Sequence, residues 1–221
     1  MRPSVLLLPV LLMALGCERA PTGLDVPAGA DAPVLPAAGA PEGAHATLVA
    51  GDAVGDQSIY ELKVALVDQS GRSHGLDTFR GGPVIVTMFY GTCPYACPTL
   101  LSDIKALLAA VDPETRARTR VLLVTFDPER DSPEAMRALA AAHQVDRPEW
   151  RFARTTPEQT RELAAVLGIR YKTLDNGMIN HSSVITILDG DGVIRHRSES
   201  LGRLDDQNVR ALQNVSRAAG S

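Results

Sequence analysis

Residues 83–100 read PVIVTMFYGTCPYACPTL. Pro83 to Tyr90 form a continuous apolar run of strand length, bounded by Gly81-Gly82 before it and Gly91 after it. Such a run marks a strand buried on both faces of a sheet. Cys93 and Cys97 follow at once, with three residues between them where the common C-x-x-C redox pair has two. In the next segment, PTLLSDIKALLAAV (98–111), Leu100, Ile104, Leu107, Leu108 and Val111 recur on one face at helical spacing. A buried strand therefore runs into a helix, with two cysteines at the junction.

The flanking segments repeat this alternation. RVLLVTFD (120–127) predicts a second buried strand. DSPEAMRALAAAHQ (131–144) predicts a helix capped by Asp131 or Ser132, with Pro133 in its first turn. WRFAR (150–154) is a short strand. TPEQTRELAAVLG (156–168) is a helix with Thr156 as cap, Pro157 next and Gly168 at its end. SVITILDGDGVIRHR (183–197) reads as a hairpin turning at Asp189 to Gly192, and LDDQNVRALQNVSRAAG (204–220) as a final amphipathic helix. Upstream, IYELKVALVD (59–68) predicts a strand, QSGR a turn, and GLDTFRGG the approach to the central run. Strands alternating with helices imply a parallel part, and the late hairpin adds antiparallel strands. The expected fold class is α/β and thioredoxin-like: a central mixed sheet flanked by helices, with an N-terminal strand extension, over residues 57–221.

The N-terminus reads differently. Arg2 precedes an almost wholly apolar run, Val5 to Leu15, which ALGC closes at Cys17. The run is short for a bilayer span and Pro9 interrupts it, so residues 1–17 read as an export signal. Cys17 stands where a bacterial lipoprotein signal places the cysteine that becomes lipidated. A simple secretory signal or an uncleaved anchor are the other readings, and all three put the protein in the bacterial periplasm or on the outer face of the membrane. Residues 18–56 are rich in Ala, Pro and Gly with few large apolar side chains, the composition of a flexible tether. A net charge of −4 with dispersed basic residues gives no sign of a nucleic-acid partner, and 45% hydrophobic residues supply a sizeable core.

Of three cysteines, a lipidated Cys17 leaves one pair. In an oxidising compartment Cys93 and Cys97 form a disulfide when oxidised, but so small a loop restricts the unfolded chain little, which argues against a purely structural role. A helix N-terminus favours thiolate, and spacing of i and i+4 puts both sulfurs on one side of a helical turn. Two adjacent thiolates either exchange with disulfides or bind a soft metal. The third intervening residue gives room for sulfurs to diverge around an ion without forbidding a disulfide, so both chemistries stay open.

A third ligand would tip the balance. Of five histidines, His45 falls in the tether, His74 in a turn, His143 at a helix end and His196 in the outer strand of the hairpin. His181 follows the polar loop DNGMIN and precedes the strand Ser183 to Leu188, which the inferred fold sets antiparallel beside Val84 to Tyr90. Its start therefore lies at the cysteine end of the sheet. Two thiolates and one imidazole suit Cu(I), and a fourth ligand would allow Cu(II). Met178 is a soft neighbour in the same loop, with packing as its ordinary role.

Three segments in this order, GTCPYACPTL, VTFDPERDSPEAM and INHSSVITILDGDG, resemble the Sco/SenC family, and the resemblance covers roughly Ile59 to the C-terminus. It implies a thioredoxin-like fold on a membrane tether, binding one copper per chain, as Cu(I) or Cu(II), through Cys93, Cys97 and His181. It implies delivery of copper to, or maturation of, the Cu-A centre of cytochrome c oxidase, with the Cu-A-bearing subunit or another periplasmic copper protein as partner. Family members often carry Asp between the two prolines and just before the histidine. Here Tyr95 or Ala96 and Asn180 stand there, making the site less negative. Asp127 and Asp131 match the family's DPERD, either as support around the site or as a strand-end turn and a helix cap. The alternative function is a thiol-disulfide reductase acting on partner cysteines through the redox pair Cys93 and Cys97. A thiol peroxidase fits poorly, because no Thr/Arg constellation accompanies Cys93.

Overall fold

The structure, a computed structural model, describes residues 57–93 and 95–219. The expected export signal, Cys17, the tether and His45 lie outside the described residues. The central apolar run forms strand β3 (Val84–Phe89), buried along its whole length. Successive side chains go to opposite faces: Val84, Val86 and Met88 enter one hydrophobic cluster, Ile85 and Phe89 the other. Strands β4 (Arg120–Thr125) and β5 (Trp150–Arg154) continue the parallel part on one side of β3. On its other side lie the antiparallel pair β8 (Ile185–Leu188) and β9 (Ile194–Ser198). At the far edge β1 (Ala65–Asp68) pairs antiparallel with β5, and with β2 (Ser73–Gly75) beyond it. The sheet order is β2-β1-β5-β4-β3-β8-β9.

Helices cover both faces. Helix α1 (Ala96–Ala110), α3 (Pro133–Ala142) and α5 (Asp206–Ala218) contribute Leu100 and Ile104, Met136 and Ala140, and Leu212 and Val215 to one cluster. Helix α4 (Pro157–Val166) contributes Leu163 and Ala164 to the other. Each of these leucine, isoleucine, valine and methionine side chains, fully buried, stabilises by about 1.5–3 kcal/mol relative to exposure. The caps are as the sequence spells them: Ser132 accepts from the Ala135 N–H and Thr156 from the Gln159 N–H, each with proline at the first helical position. This is the expected mixed α/β, thioredoxin-like sheet.

Several elements differ from the sequence reading. Only the second half of IYELKVALVD is a strand. Ile59–Glu61 is a 3-10 turn, because Ser58 caps the Tyr60 N–H and the Ile59 N–H is taken by the Gly192 carbonyl. A short helix, α2 (Pro113–Arg118), capped by Asp112, fills the link before β4. The segment expected to be a polar loop before His181 is a second, two-stranded sheet: β6 (Tyr171–Thr173) pairs antiparallel with β7 (Ile179–His181). Its turn holds Asn176-Gly177, and Gly177 has φ of +77°, a left-handed conformation that glycine adopts at little cost.

Candidate metal centre

The cysteine segment leaves β3 at Phe89 and enters α1 at Ala96. Cys93 is therefore outside the helix, and Cys97 lies in its first turn, so the two sulfurs do not share a helical face. A turn brings them together instead. The Tyr90 carbonyl accepts the Cys93 N–H at 3.1 Å and the Cys97 thiol at 3.4 Å.

Helix α1 has Tyr95 at its N-cap, and that side chain makes no capping hydrogen bond. The Cys93 sulfur takes the position a cap would fill. Burial works against its ionisation, but the nearby N–H groups of Cys97, Tyr95 and Ala96 and the Tyr90 hydroxyl favour the thiolate, and the thiol pKa ends below the ordinary cysteine value. These are the first-turn donors that a helix leaves unpaired, and they favour an anion. Cys97 is the opposite case. It is 3% exposed, and burial pushes its thiol up to about 12, with the charges of Cys93 and Asp131 adding to the push. The pair is thus one thiolate-prone sulfur and one held as the neutral thiol.

His181 ends β7 and reaches the same region. Its Nδ1 lies 3.1 Å from the Ser182 carbonyl, so Nδ1 is the donor and Nε2 keeps the lone pair a metal would need. The imidazole rests on Phe126, with ring centroids 4.8 Å apart, and meets Tyr90 edge-on at 5.7 Å and 87°. Tyr171, cross-strand from His181, also packs on Phe126, at 4.8 Å. All three expected ligands therefore gather around one residue, Tyr90. Among the described residues no three His, Cys, Asp or Glu side chains stand close enough to enclose an ion. The donor types fit a soft ion; joining them in one coordination sphere requires the three side chains to draw together. Met178 sits 44% exposed beside the β6–β7 turn, and Tyr95 80% exposed between the cysteines.

The DPERD segment braces this arrangement. Asp131 is buried, and its two carboxylate oxygens accept the Gly91 N–H at 3.2 and 3.0 Å while one takes the Thr125 hydroxyl. Burial holds its pKa above the usual carboxylate range, against the donation from Thr125 and Gly91. Asp131 is thus a clamp on the cysteine loop and not a helix cap; the cap is Ser132. A Cβ at Gly91 would come 2.5 Å from Asp131 Oδ1, so any larger residue there would displace the clamp. Arg130 reaches the other way. Its guanidinium donates to the Gly177 carbonyl at 2.9 Å and pairs with Asp127. One loop thereby grips both the cysteine turn and the hairpin that carries His181. Arg130 and Tyr90 were not singled out in the sequence; a tyrosine closing an otherwise apolar strand was the available signal for Tyr90. The remaining described histidines are structural: His74 meets Phe79 edge-on in β2, His143 caps α3 and His196 lies in β9.

A thioredoxin-like fold with an asymmetric dithiol at the end of its central strand and a histidine beside it defines a class of redox or soft-metal proteins. Residues 55–214 match the family model described as SCO1/SenC, and the chain belongs to that family. It is 27% identical over 149 residues to a protein of Stutzerimonas stutzeri named as a candidate copper-binding protein, covering 65% of this chain and 71% of that one. Among solved structures it is similar to ScoI of Bradyrhizobium japonicum with copper bound, with a TM-score of 0.59 at 22% identity, over 69% of this chain and 96% of that one. It is also similar to BsSco, a member of the Sco family of cytochrome c oxidase assembly proteins, with a TM-score of 0.61 at 18% identity, over 76% of this chain and 97% of that one. At such identities these two structures speak to the fold alone.

Proposed function

We propose that this chain is an exported copper carrier. It holds one copper ion between Cys93, Cys97 and His181 and hands it to the Cu-A-bearing subunit of cytochrome c oxidase or to another periplasmic copper protein. Lipid on Cys17 would anchor it, and residues 18–56 would hold the folded part off the membrane. The observation that carries this reading is the gathering of two thiols and an imidazole nitrogen around Tyr90. Family membership and the copper named in relatives support it. The ion is cargo, so ligands that must move to enclose it suit a protein that also has to release it.

Anaerobic Cu(I) titration against a competing chelator tests the proposal. One ion per chain is expected, with weakened binding in Cys93→Ser, Cys97→Ser and His181→Ala. Unchanged affinity in His181→Ala overturns the three-ligand site.

A second reading, thiol-disulfide reductase, is favoured by the unequal thiols. The Cys93 thiolate would attack a partner disulfide, displacing one partner thiolate and forming a mixed disulfide. Cys97 would then lose its proton and close the Cys93–Cys97 disulfide, releasing the second partner thiol. That reaction has no use for His181. A wild type that binds no copper yet reduces disulfides, with His181→Ala unimpaired, establishes it in place of the carrier.

A further inference from the structure

The peptide group between Tyr90 and Gly91 is held from both sides. Its N–H, on Gly91, donates to the two carboxylate oxygens of Asp131 at 3.2 and 3.0 Å. Its carbonyl, on Tyr90, accepts the Cys93 N–H at 3.1 Å and the Cys97 thiol at 3.4 Å. A trans peptide is planar, with its N–H and C=O pointing in opposite directions. Fixing the N–H on a carboxylate therefore fixes where the carbonyl aims, and here it aims at the Cys97 sulfur.

The carboxylate is anchored independently of the cysteine turn. Asp131 is buried and takes the hydroxyl of Thr125, the last residue of β4. The Thr125 oxygen in turn accepts the Asp127 N–H at 2.9 Å, and the Asp131 N–H donates to the Asp127 carbonyl at 2.9 Å. Beside them the Phe126 N–H donates to the Phe89 carbonyl at 2.7 Å, joining the chain that leaves β4 to the end of β3.

The two redox states of the cysteine pair use the Tyr90 carbonyl differently. The dithiol offers it two donors, the Cys93 amide and the Cys97 S–H. The disulfide has no S–H, and one donor is lost. An interaction made in only one of two states shifts the balance toward that state, so an aimed carbonyl favours the dithiol.

We propose that Asp131 is a positioning residue that holds the Cys93–Cys97 pair in its reduced form, acting through the 90–91 peptide. The dithiol is the form that both the copper carrier and the reductase require, and the proposal rests on those readings for its purpose alone. The bias itself is a property of the metal-free protein.

Equilibration of the purified, metal-free chain with dithiothreitol redox buffers tests this. The cyclic disulfide of oxidised dithiothreitol takes two electrons and two protons from the protein thiols, leaving the Cys93–Cys97 disulfide and the dithiothreitol dithiol. Alkylation and mass measurement then count the free thiols. Asp131→Ala should shift the equilibrium constant about fivefold toward the disulfide, the weight of one ordinary hydrogen bond. Asp131→Asn keeps an oxygen for the Gly91 N–H and loses only the charge, whose polarisation of the carbonyl is on the order of 10–30% of a bond. It should therefore stay within about twofold of wild type. Gly91→Ala, whose Cβ would come 2.5 Å from Asp131 Oδ1, should shift the constant as Asp131→Ala does, and the two substitutions together should shift it no further. A wild-type constant in Asp131→Ala overturns the proposal, as does Asp131→Asn shifting as far as Asp131→Ala. Coupling is reciprocal, so in wild type the Gly91 amide should exchange with solvent about fivefold faster in the disulfide form, with amides at the start of β4 unchanged. Equal protection of Gly91 in the two states also overturns the proposal, and that comparison decides the matter should the variants fail to fold. Copper is absent throughout, so failure here leaves the copper titration standing, and a failed titration leaves the redox bias.

Discussion

The geometry of the cysteine turn sets the two thiols apart in reactivity by more than an order of magnitude. The perturbation is alkylation of the reduced, metal-free protein with iodoacetamide. An ordinary thiol has a pKa of 9.0, and Cys97 is pushed up to about 12. Each pH unit is a decade in thiolate, so at neutral pH Cys97 carries about a thousandfold less thiolate than a free cysteine. Cys93 lies below the ordinary value and carries more. A lower pKa makes a thiolate a weaker nucleophile, with a Brønsted slope of about 0.4–0.5, which offsets part of the gain but cannot reverse three decades. Access acts in the same direction, since Cys97 is 3% exposed and Cys93 is only partly buried. Timed quenching and peptide mass mapping at pH 7 should therefore show Cys93 modified at least about thirtyfold faster from ionisation alone, with the burial of Cys97 adding to the difference. The Cys93 rate should level off at lower pH than that of an ordinary thiol, while that of Cys97 climbs until the protein unfolds. In Cys93→Ser the charge contribution of Cys93 disappears but the burial remains, so Cys97 should stay unreactive. Comparable rates for the two thiols at pH 7, or Cys97 reacting first, would refute the assignment of Cys93 as the sulfur that caps α1.

Two further outcomes concern the scaffold. Asp131 has a folded pKa above its unfolded value, so the folded state binds more protons; its contribution to stability is greatest below the unfolded value and is lost as pH rises through the folded one. The stability of wild type relative to Asp131→Asn, measured by urea denaturation, should decline as pH is raised from about 4, and a difference that grows with pH contradicts the buried placement. Phe152→Ala removes a fully buried ring that packs edge-on to Phe89 at 5.3 Å; it should cost about 3–5 kcal/mol, while leaving the ratio of Cys93 to Cys97 alkylation unchanged.

The sheet was legible because its evidence is local. The apolar run of β3, the Ser-Pro and Thr-Pro starts of α3 and α4, and the Asp189 to Gly192 turn each carry their own signal within a few residues. The end of the sheet at which His181 lies followed from the antiparallel placement of β8 against β3, which the structure has. The hairpin before His181 was missed although Asn176-Gly177 is a strong turn signal; its strands span three residues each, too few to show alternation. The strand assigned across Ile59 to Asp68 was half wrong for a different reason. The Ile59 amide is claimed by the Gly192 carbonyl, far along the chain, and no local pattern reports that.

The same distinction explains the DPERD loop. Read locally, Asp127 and Asp131 are a turn and a candidate cap, and nothing in the segment separates that from support of the site. In the fold, the carboxylate at 131 points back to Gly91 and the guanidinium at 130 forward to Gly177, so one short loop ties together two halves of the candidate centre that are far apart in sequence. Asp131 is a charged group held in a buried position by Gly91 and Thr125, an arrangement that costs desolvation and is compensated only while its donors stay in place. Any displacement of the cysteine turn would strip Asp131 of the Gly91 amide, so the brace resists motion on that side. Arg130, half-exposed, grips the hairpin by a single carbonyl, and an exposed tie of that kind is weak. The Asp131 brace therefore holds the cysteine side of the candidate centre more firmly than Arg130 holds the hairpin, whose firmer anchors are the contacts of Tyr171 and His181 with Phe126 and Tyr90.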